Sequence, residues 1–221
     1  FYRAGLMDIL NNIAYYVCEG NAKLVSQLVN EALKSNIDPQ IILNEGLIKG
    51  MSIAGDKFID SSTYVPEVLV AARAMSIGLE IIKPYLVASN VKPIGRVVIG
   101  TVKGDLHDIG KNLVIIFLKG AGIETIDLGI DVSVDKFIDA VKKYNPNILA
   151  MSALLTTTMH QMKEVIDKLH AEGIREKVKV MIGGAPITQD FANEIGADLF
   201  AEDAATAAKI ARNIILGKSK Q

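Results

Sequence analysis

Cysteine is nearly absent: Cys18 is the single one in a chain of 221 residues. A lone thiol excludes an internal disulfide and any cysteine cluster for zinc or iron–sulfur. Histidine is scarce as well, with only three, whereas a hydrolytic zinc centre wants several His or carboxylate ligands and one open position. Two of the three, His160 and His170, fall within one predicted helix and read as solvated helix residues. No charge of one sign prevails, since 24 Lys and Arg face 25 Asp and Glu for a net charge of −1. No basic field therefore invites nucleic acid, and neither a helix-turn-helix nor a zinc-finger pattern is present. Long apolar runs are missing too: stretches such as "NLVIIFLKGAG" are far too short to span a bilayer. The opening "FYRAGLMDILNN" lacks the charged, apolar and cleavage regions of a signal peptide. These absences predict a soluble, cytoplasmic protein that binds neither nucleic acid nor membrane.

What is present is an ordinary globular balance, with 50% apolar and 22% charged residues. The chain is long enough for one large domain or two modest ones, and its two halves have different rhythms. Up to about Leu86, apolar residues fall at helical spacing in the blocks "LMDILNNIAYYV", "AKLVSQLVNEALKS", "PQIILNEGLIKGMSIAGDKF" and "PEVLVAARAMSIGLEIIKPYL". Gly20-Asn21 breaks the first two, and at Asp38-Pro39 an aspartate can cap while proline takes the first helical position. Short connections between amphipathic helices predict a four-helix bundle over residues 1–88.

After the expected boundary at 87–94 (Ser89, Asn90, Pro93) the pattern changes. "RVVIGT", "IETIDLG", "NILAMSA", "VKVMIGG" and "ADLFAED" are short apolar runs that end in Gly, Ser or Asp. Helical stretches follow at about 109–120, 134–144, 159–172, 189–195 and 204–216. Strict alternation of strand and helix predicts an α/β domain over 93–221, a doubly wound, flavodoxin-like (Rossmann-like) parallel sheet of five strands. Ligands of such sheets bind outside the carboxyl ends of the strands, where strand order reverses. Three unusual segments fall on that edge: "GTVKGDLHDIGKNLV" after the first strand, "SALLTTT" after the third and Gly183-Gly184 after the fourth.

The first of these places His107 between Asp105 and Asp108. A phosphate loop fails here: five residues rather than four separate Gly104 from Gly110, and Asn112 replaces the Ser or Thr that would hold magnesium. No G-x-G-x-x-G follows the first strand, which excludes a dinucleotide fingerprint. The remaining chemistry suits one histidine ligand to a metal that brings its other ligands along. A macrocyclic cofactor does this, with four equatorial nitrogens of its own and one axial imidazole from the protein. Asp105 could accept the other ring N–H, fixing the tautomer and raising ligand basicity, while Asp108 reads as a cap of the following helix.

"GDLHDIGKN" carries the D-x-H-x-x-G signature of cobalamin-binding domains. The chain resembles the cobalamin module of methionine synthase and, over nearly its whole length, the corrinoid methyl-carrier proteins of methyltransferase systems. "SALLTTT" resembles the family's S-x-L stretch, and "IGGAP" its Gly-Gly turn. The resemblance implies a cobalamin or other corrinoid whose cobalt is held by His107, with Gly104, Asp105, Leu106, Asp108, Ile109 and Gly110 completing the binding loop. It implies that the cofactor's nucleotide tail enters a slot lined by Ser152, Leu154 and Thr156, with room left by Gly183 and Gly184. Asp105, His107 and Thr158 would form the catalytic relay, Thr158 standing where the methionine synthase pattern has serine. "GDKFIDSSTYVPEVLVAARAM" resembles the family's helical cap, which places Phe58 and Val65 over the cobalt–methyl bond.

The implied function is methyl transfer in one-carbon metabolism. A substrate-specific methyltransferase loads the cobalt from a methylamine, betaine, methanol or aryl methyl ether. A second methyltransferase passes the methyl to tetrahydrofolate or a thiol, and a reductive activase rescues oxidised cobalt. Such a chain is a carrier subunit rather than a complete enzyme. The rivals are a cobalamin-dependent sensor, for which no output element is seen, a mutase subunit, against which the cap counts, and a corrinoid storage protein.

Overall fold

A computed structural model describes residues 2–88 and 92–217. The chain divides into two compact units, one running to Lys92 and the other from Pro93. Of the boundary expected at 87–94, residues 89–91, Ser89 and Asn90 among them, lie outside the described residues.

The first unit is helical, with α1 (Tyr2–Cys18), α2 (Ala22–Lys34), α3 (Pro39–Ile41), α4 (Lys49–Ile59) and α5 (Val65–Ala88). Its breaks follow the capping chemistry of the sequence. The Asn21 side chain accepts from the Leu24 amide at 3.1 Å, and Asp38 accepts from the Gln40 amide at 2.7 Å with Pro39 at the first helical position. Between α3 and α4 the expected regular helix is corrected: Ile42–Ile48 is a π-helix. A period of 3.6 does not register this wider turn; Ile42 and Leu47, five residues apart, are both fully buried. Val25, Val29 and Ala32 bury one face of α2, which packs on α5, where Val68, Ala71, Ala74 and Ile82 are buried. Gly50 lets α4 approach α1 closely, because a Cβ there would stand 2.5 Å from the Ala14 carbonyl oxygen and 2.6 Å from Val17 Cβ.

The second unit alternates strictly. Its strands are β1 (Arg96–Thr101), β2 (Glu124–Asp127), β3 (Ile148–Ser152), β4 (Lys179–Gly183) and β5 (Leu199–Ala201). Between and after them run α6 (Ile109–Gly120), α7 (Val134–Tyr144), α8 (His160–Ala171), α9 (Gln189–Ile195) and α10 (Ala204–Ile215). The sheet is parallel, with order β2-β1-β3-β4-β5, so the order reverses between β1 and β3. The central strands β1, β3 and β4 are mostly buried, as the apolar runs require of a sheet covered on both faces, whereas edge strand β2 is not. Phe137 of α7 and Met162, Ile166 and Leu169 of α8 close one core cluster with Val98, Leu149 and Val180 of the sheet. On α6 and α10, which pack together, Leu118, Ala208 and Ala211 are buried.

Register sets the shape of the sheet's carboxyl edge. Thr101 pairs with Ser152, Ser152 with Gly183, and Gly183 with Ala201. Four strands therefore end flush, and the loops after them start at one level. Among the described residues no helix is long and apolar enough to cross a membrane.

We expect Gly50→Ala to lower stability by about 1–3 kcal/mol through overpacking, against a helix-propensity gain of about 1 kcal/mol. Urea unfolding followed by circular dichroism measures it. An unchanged or raised midpoint would show that α1 and α4 do not need this close approach.

Candidate functional site

The site is built on the loop between β1 and α6. Buried Thr101 closes β1 and donates from its hydroxyl to the His107 carbonyl at 2.9 Å. Asp105 is turned inward and fully buried. Its Oδ1 accepts from the His107 amide at 3.1 Å and lies 2.7 Å from His107 Nδ1. Its Oδ2 accepts from the amides of Leu154 and Leu155, at 2.8 and 3.2 Å, and from the Thr158 hydroxyl at 2.8 Å. The loop after β3 thus clamps the carboxylate that orients the histidine of the loop after β1.

Burial by itself would raise the Asp105 pKa. The hydrogen bonds from the Leu154 amide, the His107 ring and amide and the Thr158 hydroxyl outweigh it, and hold the carboxyl well below the usual carboxylate range. An ionised carboxylate only accepts, so Nδ1 carries the ring proton of neutral His107. Nε2 is left as the nitrogen with a free lone pair, and among the described residues no protein group holds it. The His107 side chain is half exposed. Thr158 has one hydroxyl proton and two acceptors, Asp105 Oδ2 and the Leu155 carbonyl at 2.9 Å; the charge on Asp105 draws that proton.

The surroundings of this imidazole are apolar and open. Leu106 is 66% and Ile109 75% exposed, and Leu154 and Leu155 on the facing loop are exposed as well. Contiguous exposed apolar side chains mark a surface that something else covers. No group of three or more His, Cys, Asp or Glu side chains able to hold a metal exists among the described residues. The donor set therefore fits a metal whose other ligands come with it, in a flat, largely apolar cofactor. His107 would hold such a metal, and Leu106, Ile109, Leu154 and Leu155 would contact the rest.

The other sequence candidates divide. Ser152 ends β3 half-buried, beside Gly183, and Thr156 is exposed on the following turn. Gly183 and Gly184 have a reason that precedes any ligand. A Cβ on Gly184, whose φ is +131°, would stand 1.9 Å from the Ala153 carbonyl oxygen, and one on Gly183 3.0 Å from that of Ala201. A Cβ on Gly110 would meet nothing within 4 Å. Asp108 occupies the N-cap position of α6, but its side chain makes no capping bond; it accepts from the Asn112 side chain at 3.1 Å. That corrects its reading as a cap. Phe58 and Val65 belong to the helical unit, half-buried at the end of α4 and the start of α5.

Lys111 adds to the case against a phosphate loop. It is buried, and its ammonium is committed to both carboxylate oxygens of Asp127 at 2.9 Å. His160 and His170 are exposed on α8. Sequence reasoning missed Thr101, the Leu155 amide and Asp131, whose side chain accepts from the Gly104 amide at 2.7 Å. The Leu155 amide and Asp131 carry no local signal because each acts on a loop distant in sequence, and a strand-end threonine bonding a carbonyl six residues on has no pattern of its own.

Comparison with known proteins shows the family. The family model of the B12 binding domain matches residues 95–211, and a second model of the same description matches residues 9–83. The chain is 42% identical to trimethylamine corrinoid protein 1 of Methanosarcina acetivorans over 90% of this chain and 94% of that protein. It is 43% identical to dimethylamine corrinoid protein 1 of Methanosarcina mazei over 85% of this chain and 88% of that one. The solved methanol:cobalamin methyltransferase complex of Methanosarcina barkeri superposes with a TM-score of 0.82 at 35% identity, over 95% of this chain and 80% of that one.

Asp105→Asn puts an amide where five donors converge, and we expect a loss on the order of 2–4 kcal/mol at pH 7 from unsatisfied buried groups. Because folding depresses the Asp105 pKa, the stabilisation from its charge is full above the unfolded value, near 3.9, and is lost as pH falls through the folded one. Urea unfolding from pH 7 down to pH 3 checks this: the gap between wild type and variant should narrow below about pH 4. A gap that does not depend on pH would refute the ionised, hydrogen-bonded Asp105.

Proposed function

The chain belongs to the cobalamin-binding corrinoid proteins of methyltransferase systems, and from that premise we propose that it is a cytoplasmic methyl carrier working between two methyltransferases. One observation carries the reading: an inward, ionised Asp105 presents a single imidazole nitrogen at an apolar sheet edge, with no other metal-ligating cluster among the described residues. A bound corrinoid would supply the cobalt chemistry that takes up and gives up a methyl group.

The protein's own part is ligation and proton control. His107 would hold the metal through Nε2, with Asp105, bonded to Nδ1, setting the tautomer and orientation of the ring. When Nε2 does not ligate, its lone pair is open to a proton. Negative Asp105 then stabilises the imidazolium, and the Thr158 hydroxyl holds the far oxygen of the same carboxylate. Ser152, Leu154, Thr156, Gly183 and Gly184 line the slot for the nucleotide tail. In the helical unit, Phe58 and Val65 are the residues we assign to the methyl side of the cofactor.

The partners are a substrate-specific methyltransferase, a second methyltransferase acting toward tetrahydrofolate or a thiol, and a reductive activase. Relatives named for trimethylamine and dimethylamine, at 42% and 43% identity, favour a methylamine as donor over a betaine, methanol or an aryl methyl ether.

After mixing with hydroxocobalamin and desalting, the wild type should keep the corrinoid with a histidine-ligated absorption spectrum. His107→Ala should lose that signature and retain the corrinoid at least ~10-fold more weakly, since even outer partners of a metal ligand are worth 10–100-fold. Once a chemical reductant has brought the cobalt of the loaded wild type to the +1 state, it should accept methyl groups when a trimethylamine- or dimethylamine-specific methyltransferase and its substrate are added. Failure of the wild type to keep any corrinoid sinks the reading.

A further inference from the structure

We propose that Asp131, on the loop between β2 and α7, is a positioning residue that determines how firmly His107 holds its metal; this rests on the corrinoid reading of the site. The His107 loop is clamped from two sides. On one side the loop after β3 grips the Asp105 side chain through Leu154, Leu155 and Thr158. On the other, the loop after β2 grips the backbone of the same residue and of the one before it. The Asp131 carboxylate accepts from the Gly104 amide at 2.7 Å, and the Asp131 amide donates to the Asp105 carbonyl at 3.0 Å.

Asp131 makes both bonds of this second clamp, and the segment carrying it is laced to β1 throughout. Leu128 donates to the Ile99 carbonyl, Thr101 to that of Gly129, and Val132 to that of Thr101. The last is part of a parallel bridge between Val102 and Val132. Asp131 can reach both Gly104 and Asp105 because its backbone is left-handed, with φ of +50°. The other described non-glycine residues with positive φ, Asn36, Ser61 and Asn145, stand at helix ends, where that conformation is the usual stop. Asp131 follows a strand and ends no helix. An uncommon backbone held in place by two bonds to one functional loop points to a role in that loop.

The physical consequence is specific. With the Asp131 carboxylate removed, the Asp105 side chain keeps all its donors, but the chain entering Asp105 is free to shift. The His107 ring moves with it, and ligation weakens without loss of the fold. Glycine and asparagine both tolerate positive φ, so they separate the acceptor from the backbone: Asp131→Gly removes it, and Asp131→Asn keeps an oxygen at the same place.

The test loads wild type, Asp131→Gly and Asp131→Asn with cyanocobalamin and titrates each with cyanide, which displaces the protein nitrogen from cobalt and shifts the visible spectrum. We expect the midpoint to fall about five-fold in Asp131→Gly, the size of one net hydrogen bond, and to stay within about two-fold of wild type in Asp131→Asn. Urea unfolding of the same proteins reports the fold. A purely structural role lowers the urea midpoint and leaves the cyanide midpoint unchanged, which overturns the proposal, as does Asp131→Asn behaving like Asp131→Gly. His107→Ala is the control on the parent reading. If it titrates with cyanide as the wild type does, the corrinoid reading fails, whatever Asp131 does.

Discussion

The buried carboxylate of Asp105 is the constraint on which the site depends. A charged group without exposure is costly unless its oxygens are fully bonded, and five donors from two loops meet that demand. The same bonds that make the charge tolerable fix the loop after β1 against the loop after β3. The histidine tautomer follows from them, since an ionised acceptor takes the Nδ1 proton and leaves Nε2 for a metal. Stability and ligation are one arrangement here.

The sheet makes this meeting possible. Parallel strands ending at one level bring their loops to a common edge, and the reversal of order between β1 and β3 opens room above it. Gly184 shows how tightly the edge is drawn, since even a methyl group would collide with the Ala153 carbonyl. The loop after β2 joins from the far side through Asp131. Three strands thus contribute to holding one imidazole, and the exposed leucines and isoleucine around it complete an apolar platform.

In the helical unit, α2 and α5 bury small and branched side chains against each other, and Gly50 brings α4 close to α1. Phe58 and Val65 flank the turn between α4 and α5. Beside them stand exposed Ile59, Tyr64 and Leu69, so this corner too has apolar side chains on its surface.

Much was legible in the chain itself. The switch from helical spacing to short apolar runs marks the two units, because burying one face of a helix and both faces of a strand leave different periods. Caps at Asn21 and Asp38 mark helix starts, because a side-chain acceptor next to free amides acts locally. His107 and Asp105 were legible because their bond spans two residues. The π-helix at Ile42–Ile48 was not, since burying Ile42 and Leu47 five residues apart does not follow a period of 3.6. Nor was it legible that Asp108 bonds Asn112 instead of capping α6, a choice between two local partners. The resemblance already implied the Thr158 bond to Asp105, but tertiary structure alone decided that the Leu154 and Leu155 amides serve Asp105 and that Asp131 serves Gly104. It alone decided that Lys111 is spent on Asp127 and that Gly184 answers to Ala153. Each joins groups far apart in sequence, and only the register of a folded parallel sheet sets those distances.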